Sequence, residues 1–340
     1  MIYSVKLPVE NSFSTAHMLT TRLASRSLPT KGLCHACRRS QRSLAPLRSL
    51  STAGPSGLRR RWPYPLGLSI ALLPGVFWFL SSPKSELSPQ LYSTQKISST
   101  TSISPSHKLI SIPIPPQAQH LFSTPYKTDG SRADPDEVVV QHMMIGAPQI
   151  QIERPYTPIN DPQNGEVQMI VKRVKGGEVG RLVHSLQEGQ DVEVRGPIPT
   201  FSIRPSDYDR IVMVSTGTGV SPFLQLLSRL PESRPKCHLV HLQPAPGKED
   251  WIVASGLLRR AQDDLGEDLI IHRPPASLIT AESMKSAIGE NPERAMVLIC
   301  LPPHLMRPLC GGLTRTLEQG PLTGVLSDVG LSADQVWKLE

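Results

Sequence analysis

The 340-residue sequence predicts an antiparallel β-barrel followed by an α/β parallel-sheet domain, behind an N-terminal segment with a single transmembrane helix. Three observations lead to this prediction. Residues 97–205 contain short strand-like runs separated by turn clusters, with one helical stretch among them. After residue 205, apolar strands alternate with helical stretches, as in a parallel sheet wrapped by helices. Residues 62–82 carry no charged side chain and have about the length that crosses a bilayer.

The N-terminal region differs from the rest of the chain in charge. Residues 1–84 hold 12 of the 36 Lys and Arg residues and one of the 29 acidic residues, which gives a formal net charge of +11. The remaining 24 basic and 28 acidic residues give −4. A nucleic-acid-binding protein would carry its basic patch on the folded domain. The charge distribution therefore argues against nucleic acid as a partner.

Residues 1–60 are rich in Ser, Thr, Arg and Leu and almost free of acidic residues. This composition is typical of a mitochondrial targeting (transit) segment, although a disordered basic tail would share it. Cys34 and Cys37 have a spacing that can hold zinc, but no second ligand pair follows at a suitable distance. The histidines His184, His241 and His304 are scattered. We therefore predict no metal site.

Residues 62–82 are predicted to form the transmembrane helix, and 83–96, rich in Ser and Pro, to form a linker. A buried helix or a transient sorting sequence is the alternative for 62–82. Three consecutive arginines precede this run. Because positively charged residues beside a membrane span tend to stay on the inner side of the membrane, the N-terminus would lie in the mitochondrial matrix. With the inner membrane favoured, the body of the chain would face the intermembrane space.

Residues 97–205 are predicted to form the barrel. Partial alternation or runs of β-branched residues predict strands at 107–114, 137–144, 167–174 and 191–195. One short helix is expected at 180–186. The Arg-Gly-Pro sequence at 195–197 is expected to close the last strand at the barrel edge.

Residues 206–340 are predicted to form the α/β domain. Strands are expected at 211–215, 238–242, 268–271 and 296–300, and helices at 222–230, 252–263, 281–288 and 303–317. Such alternation implies parallel strands joined by helical crossovers.

A short stretch in the barrel offers three kinds of side chain for a phosphate-bearing ring system. Arg154 can make paired hydrogen bonds to phosphate oxygens. Tyr156 provides a flat surface for stacking, and Thr157 provides a hydroxyl close to it. An ordinary surface turn is the alternative for this segment alone.

Two glycine-rich turns follow, at 176–180 and at 217–219. Glycines that open a helix expose backbone N–H groups and the positive end of the helix dipole, which suits an anion. A tight β-turn is the alternative for the first. The second lies between an apolar strand and a helix, as expected for a nucleotide-binding turn.

Five motifs together resemble those of the ferredoxin–NADP reductase superfamily, and within it the NADH–cytochrome b5 reductase branch, in order and spacing. They are Arg-Pro-Tyr-Thr-Pro at 154–158, Gly-Gly-Glu-Val-Gly at 176–180, Arg-Gly-Pro at 195–197, Gly-Thr-Gly-Val-Ser-Pro at 217–222 and Cys-Leu-Pro-Pro at 300–303. The resemblance covers roughly residues 90–340. With a targeting segment and an anchor, the chain is similar to mitochondrial flavoproteins of this branch. These include an intermembrane-space type and an inner-membrane type linked to haem attachment on cytochrome c.

The resemblance implies that the barrel binds FAD. The implied contacts are Arg154, Tyr156, Thr157, Gly177, Gly180, Arg181 and Leu182. Arg154 and the backbone amides at the helix start would bind the pyrophosphate. Tyr156 would pack against the isoalloxazine, and Thr157 would lie near flavin N5.

The resemblance also implies a nicotinamide nucleotide in the second domain, with NADH favoured over NADPH. The implied contacts are Gly217, Thr218, Gly219, Pro222, Asp250, Pro302 and Pro303. Cys300 would lie near the nicotinamide C4, so Thr157 and Cys300 are the predicted catalytic residues. Asp250 matches an acidic position that accompanies NADH in this branch, and a solvated loop residue is the alternative.

The chain departs from the family pattern at two positions. Gly180 stands where the family usually has Ser or Thr, which removes a side-chain hydrogen bond to phosphate. Leu301 stands where the family usually has Gly, so the nicotinamide pocket is expected to be bulkier.

The resemblance implies a membrane-anchored FAD-dependent oxidoreductase. It would pass a hydride from NADH to FAD and then single electrons to a haem protein, cytochrome b5-like or cytochrome c-related. The alternative, which Leu301 favours, is a non-enzymatic or weakly active flavoprotein assembly factor that docks the cytochrome c haem-attachment machinery. A reductase with an iron–sulfur segment would bring four suitably spaced cysteines, and the sequence lacks them.

Overall fold

An antiparallel region precedes a parallel one in the part of the chain that the computed structural model describes, residues 86–147 and 151–339. All of these residues belong to one unit, Pro65–Glu340. The predicted targeting segment at 1–60 and the predicted transmembrane helix at 62–82 lie outside the described residues. Within the described residues, none of the helices is both long enough and apolar enough to span a bilayer.

The antiparallel region consists of two sheets around one apolar core. Its strands are β1 (Ser93–Lys96), β2 (Ser99–Ser104), β3 (His107–Pro113), β4 (Val138–Ala147), β5 (Ile152–Tyr156), β6 (Glu166–Lys172) and β7 (Asp191–Ile203). One sheet has the order β1-β7-β4-β5 and the other β2-β3-β6. Alternate side chains such as Ile110, Ile112, Met143 and Ile145 point into the shared core and are at most 1% exposed. Two helices belong to this region, α1 (His120–Ser123) and α2 (Glu178–Ser185).

The parallel region is a five-stranded sheet in the order β10-β9-β8-β11-β12. Its strands are β8 (Arg210–Thr216), β9 (Lys236–Leu242), β10 (Leu269–His272), β11 (Ala295–Cys300) and β12 (Val336–Leu339). The helices are α3 (Ser221–Ser228), α4 (Trp251–Ser255), α5 (Leu257–Leu265), α6 (Ala281–Ile288), α7 (Pro303–Cys310) and α8 (Val325–Asp328). All six residues of β11 are buried, as in a central parallel strand covered on both faces. The predicted order of an antiparallel and then a parallel-sheet region is confirmed.

Several element boundaries differ from the prediction. Strand β1 lies inside the stretch expected to be a linker, because its backbone pairs with β7. Strand β7 continues past Pro197 to Ile203 and lies between β1 and β4, so the Arg-Gly-Pro sequence closes neither a strand nor an edge.

Two predicted helices of the second region are shorter than expected. The helix predicted at 252–263 is divided into α4 and α5 by Gly256, whose φ of +67° is a left-handed conformation that suits glycine. The helix predicted at 303–317 ends at Cys310, since Gly311 also has a positive φ of +79°.

A polar seam joins the two regions. Gln141 of β4 lies opposite Pro199 of β7 at a register shift, and Pro199 has no N–H to offer. The Gln225 side chain of α3 accepts from the Gln141 N–H at 2.7 Å and donates to its carbonyl at 3.1 Å. One turn later, Arg229 donates to the Val139 carbonyl at 2.7 Å. Helix α3 is thereby fixed to the antiparallel sheet, and with it the glycine turn at its start.

Candidate functional site

A large cavity, with a volume of about 1480 Å³, lies at the C-terminal edge of the parallel sheet. It is lined by the segments that follow β8, β9, β10 and β11, and ligands of open α/β sheets bind at this edge. The lining includes the predicted site residues Gly217, Thr218, Gly219, Asp250, Cys300, Pro302 and Pro303. Ser106, His107 and Lys172 of the antiparallel region complete the wall. The cavity therefore lies between the two regions.

The glycine turn after β8 packs directly on the start of the segment after β11. A Cβ atom on Gly219 would lie 2.6 Å from the Cys300 carbonyl oxygen and 3.0 Å from its Sγ. Real Cβ atoms do not approach backbone oxygen so closely, so this position requires glycine. Pro222 lies in the first turn of α3, a position that tolerates proline because the first N–H groups of a helix have no intrahelical partner. It is buried and does not line the cavity.

Asp250 lies at the cavity edge, just before α4, and forms an ion pair with Arg273. Beneath this pair, His241 Nδ1 is 2.9 Å from the Ser215 hydroxyl oxygen, and both side chains are buried. Burial and the nearby Arg273 lower the pKa of His241 to about 4. The imidazole is therefore neutral near pH 7, and the local charge is set by Asp250 and Arg273.

An aromatic pair forms the wall between the two regions. The rings of His107, at the start of β3, and Trp251, at the start of α4, stack with centroids 4.8 Å apart and planes inclined by 18°. Both are at most 4% exposed. His107 Nδ1 contacts the hydroxyl groups of Ser104 and Ser106. Its Nε2 is buried without a hydrogen-bond partner among the described residues. Neither His107 nor Trp251 was predicted from the sequence, although a tryptophan directly after a charged loop was an available signal.

A second, smaller cavity of about 310 Å³ lies at the start of α2. Its lining consists of Arg173, Val174, Lys175, Gly176, Gly177, Glu178 and Arg181. Gly177 is the N-cap of α2, and no side chain caps the helix there. The start of the helix therefore borders this cavity together with three cations and one carboxylate, a set that suits an anion. Arg181 pairs with Glu178.

The opposite end of α2 is held by a buried cation. Lys108 of β3 is 6% exposed, and its Nζ donates to the carbonyls of Val183, His184 and Leu186. A cation at the C-terminus of a helix complements its dipole. This contact fixes the position of the helix whose N-terminus faces the anion cavity.

The predicted arginine–tyrosine–threonine group lies on and just after β5, which packs beside α2. Arg154 is exposed, and its only side-chain hydrogen bond within the described residues goes to the Glu153 carbonyl at 2.7 Å. Tyr156 is partly buried against the same core as Leu182, and burial raises its pKa. Thr157 is partly exposed. None of Arg154, Tyr156 and Thr157 lines the large cavity.

The two departures from the family pattern have structural explanations. A Cβ on Gly180 would lie 2.8 Å from the Lys172 carbonyl oxygen, so the close packing of α2 on β6 leaves no room for Ser or Thr. Leu301 is only 6% exposed and packs in the apolar core with Met306 and Leu309. Leu301 nevertheless also lines the large cavity, so the expectation of a bulkier pocket stays a prediction.

These features fit the two groups that the sequence suggested. The uncapped start of α2, with Arg154 on the adjacent strand, fits a pyrophosphate. Gly219 and Cys300 are in close contact and both line the large cavity, so the glycine turn and the Cys300 segment form one wall against which a nucleotide can lie. No cluster of three or more metal-ligating side chains occurs within residues 86–147 and 151–339.

Comparison with known proteins agrees with this geometry. Residues 127–203 match the model of the oxidoreductase FAD-binding domain. NADH-cytochrome b5 reductase 2 of Phaeosphaeria nodorum is 30% identical over 201 residues, which cover 54% of this chain and 59% of that protein. The protein of the same name from Lodderomyces elongisporus is 26% identical over 200 residues, which cover 54% of this chain and 66% of the relative. The matches thus span less than two thirds of the length of these relatives.

Two solved structures share the fold. The cytochrome b5 reductase domain of Ulva prolifera nitrate reductase has a TM-score of 0.54 and 16% identity, and the match covers 75% of this chain and 100% of that domain. A ferredoxin NADP+ reductase from Neisseria gonorrhoeae, with bound FAD and NADP, has a TM-score of 0.51 and 16% identity. That match covers 73% of this chain and 97% of the reductase.

Proposed function

We propose that this chain, which resembles the ferredoxin–NADP reductase superfamily, is an FAD-dependent oxidoreductase that takes electrons from NADH and delivers them to a haem protein. One observation carries the proposal. A single cavity is walled by the glycine turn after β8, the Cys300 segment after β11 and, from the antiparallel region, His107 and Lys172. Such a cavity lets a nucleotide held by one region approach a ring system held by the other.

In this proposal, the antiparallel region holds FAD. The start of α2 and Arg154 would bind its pyrophosphate, and Tyr156 would provide an apolar surface for its ring. When bound, the flavin supplies the redox chemistry, which the side chains of the chain do not provide. The role of Thr157 beside the flavin rests on the resemblance alone, since this residue lies outside the cavity lining.

The parallel region would hold NADH. Gly217, Thr218 and Gly219 would allow the nucleotide to approach the backbone, and Pro302 and Pro303 would shape the pocket. Cys300 lines the cavity and is 8% exposed, which supports its placement beside the nicotinamide. The His107–Trp251 stack would exclude water from this end of the cavity.

We also propose that the chain is anchored in a mitochondrial membrane, with the inner membrane favoured and the catalytic body facing the intermembrane space. The basic composition of residues 1–60 and the uncharged run at 62–82 support this location. The haem-protein acceptor is proposed because the relatives are named NADH-cytochrome b5 reductases. A flavoprotein assembly factor for cytochrome c haem attachment is the second candidate, and Leu301, which lines the cavity, is the residue that favours it.

Purification of the full chain in detergent tests the proposal. The protein is expected to be yellow, with a flavin absorption spectrum and one FAD per chain after reconstitution. With NADH and cytochrome b5 added, the haem absorption should change to that of the reduced form. A colourless protein that FAD cannot reconstitute would overturn the proposal, and a yellow protein that reduces no haem acceptor would favour the assembly factor.

A further inference from the structure

An ion pair holds β5, the strand that carries Arg154, at the edge of its sheet. The sheet has the order β1-β7-β4-β5, so within it only β4 pairs with β5. Glu153 of β5 reaches over β4 to Arg195 of β7, whose Nη2 and Nε donate to the two carboxylate oxygens at 2.7 and 2.9 Å. Such a two-fold contact is the stronger kind of ion pair. It ties β5 to a strand that is not its neighbour.

A glycine in β4 makes room for this contact. Gly146 lies opposite Glu153 in the pairing of β4 with β5, and a Cβ atom on Gly146 would lie 2.8 Å from the Tyr92 ring. The Tyr92 hydroxyl donates to the Glu153 carboxylate. The guanidinium carbon of Arg195 lies 5.7 Å from the centroid of the Tyr92 ring. Tyr92, Glu153 and Arg195 therefore form one cluster that crosses β4 above Gly146.

The cluster also holds residues 88–92, the segment before β1, which we call the strap. Arg195 Nη1 donates to the Pro89 carbonyl at 2.9 Å, and the Gly196 N–H donates to the Ser88 carbonyl at 2.8 Å. The strap lies within the predicted linker. Part of that linker therefore supports β5.

The fixed strand sets the position of Arg154. Successive side chains of a strand point to opposite faces, so Glu153 and Arg154 lie on opposite faces of β5. Arg154 Nη1 donates to the Glu153 carbonyl at 2.7 Å. The backbone that the Glu153 side chain fixes is thus the backbone that the Arg154 side chain contacts. The hydrogen bonds from Arg195 and then Tyr92 lower the pKa of Glu153 to about 2, so the ion pair is intact near pH 7.

We propose that Tyr92, Glu153 and Arg195 are positioning residues for Arg154, which they hold in place for the FAD pyrophosphate by fixing the backbone of β5. They act through Arg154 and not by contact with FAD. A side chain that is already ordered loses less conformational freedom on binding, so its contact contributes more to affinity. This inference rests on the proposed function, because it assumes that Arg154 binds the pyrophosphate.

A double-mutant cycle on the FAD dissociation constant tests the proposal, since it separates action through Arg154 from a general loss of stability. FAD is titrated into the flavin-free full chain in detergent, below the Tm of every variant, and flavin fluorescence reports binding. Glu153→Gln keeps the shape of the side chain but turns one acceptor oxygen into a donor against Arg195. It should raise the dissociation constant about three- to tenfold, as expected for coupled residues of one hydrogen-bonded network. In the Arg154→Ala background, the same substitution should have almost no effect.

Two further variants control for folding. Tyr92→Phe keeps the ring over Gly146 and removes only the hydroxyl, so it should raise the FAD dissociation constant by a smaller factor than Glu153→Gln. Asp191→Asn removes an exposed ion pair with Lys96 between β1 and β7 of the same sheet. It should leave the FAD dissociation constant unchanged.

The outcomes separate the positioning role from the proposed function. An equal increase for Glu153→Gln in the wild-type and Arg154→Ala backgrounds would overturn the positioning role, as would no increase in the wild-type background. In both cases, weaker FAD binding by Arg154→Ala alone would leave the phosphate contact standing. If Arg154→Ala alone bound FAD as tightly as the wild type, the phosphate contact and the positioning role would both be overturned. A wild-type chain that FAD cannot reconstitute would overturn the proposed function itself.

Discussion

Gly219 lies so close to Cys300 that a Cβ atom on the glycine would be 2.6 Å from the Cys300 carbonyl oxygen. The turn after β8 and the segment after β11 are therefore in direct contact, although 81 positions separate the two residues in the numbering. Strands β8 and β11 are neighbours in the sheet, with Cys300 opposite Ser215. This pairing brings the two predicted nucleotide-binding motifs to one wall of the cavity.

We predict that Gly219→Ala destabilises the protein and weakens nucleotide binding. The added methyl group must displace the Cys300 backbone, and such overpacking typically costs about 1–3 kcal/mol. Gly312→Ala is a matched control for stability, because its Cβ would be 3.6 Å from Arg307 Cγ, an ordinary contact. Thermal unfolding should show a lower Tm for the first variant only. Equal Tm values would contradict the close contact.

Arg154→Ala should weaken FAD retention. A hydrogen bond to a charged group contributes about 1.5–3 kcal/mol, so its loss should raise the FAD dissociation constant roughly tenfold or more. The ratio of flavin to protein absorption after gel filtration measures retention. Arg259→Ala, which removes an exposed arginine of α5, is the control. Unchanged flavin content in Arg154→Ala would contradict the proposal that Arg154 binds the FAD pyrophosphate.

Gln225→Leu should destabilise the junction of the two regions. The substitution leaves the buried N–H and C=O of Gln141 without the Gln225 side chain, and each unsatisfied group costs about 1–3 kcal/mol. Chemical denaturation should show the loss. Gln187→Leu, at an exposed position, should change the free energy of unfolding by no more than about 0.5 kcal/mol. If Gln225→Leu lowers the free energy of unfolding no more than Gln187→Leu does, the hydrogen bonds between Gln225 and Gln141 contribute little to stability.

The buried His107 should make stability depend on pH. Burial, followed by the charges of Lys172 and His184, lowers its pKa from 6.5 to about 4. A histidine with a depressed pKa in the folded state contributes stability that is complete above pH 6.5 and is lost as the pH falls towards 4. His107→Phe keeps a ring against Trp251 and removes the titration. Its free energy of unfolding should therefore fall less steeply across this window.

Urea titrations at several pH values between 6.5 and 4 check this prediction. His142, His238 and His241 have pKa values lowered in the same direction, so the variant should keep part of the dependence. If the free energy of unfolding depends on pH equally steeply in the wild type and in His107→Phe, His107 is not held neutral by its surroundings.

The apolar elements of the fold could be predicted from the sequence. The strands predicted at 211–215, 238–242, 268–271 and 296–300 appear as β8 to β11, because runs of buried residues are a strong local signal. Strand β1 could not be found in this way. Its sequence, Ser-Thr-Gln-Lys, has little strand preference, and it is extended because its backbone pairs with β7. Tertiary context decides such elements.

The site residues that belong to a sequence motif could be predicted, whereas those brought together only by tertiary contacts could not. The glycine turn and the Cys300 segment were found, and they share the large cavity. Arg273 was missed because nothing in its local sequence links it to Asp250, and only the pairing of β9 with β10 brings them together. The His107–Trp251 stack also depends on the packing of the two regions.

Anaerobic mixing of the FAD-loaded full chain with NADH is the most direct test of the central claim, that nucleotide and flavin meet in one cavity between the two regions. The account predicts that the visible flavin absorption bleaches with one equivalent of NADH per FAD. Retention of the oxidised flavin spectrum in a protein shown to bind both FAD and NADH would contradict it.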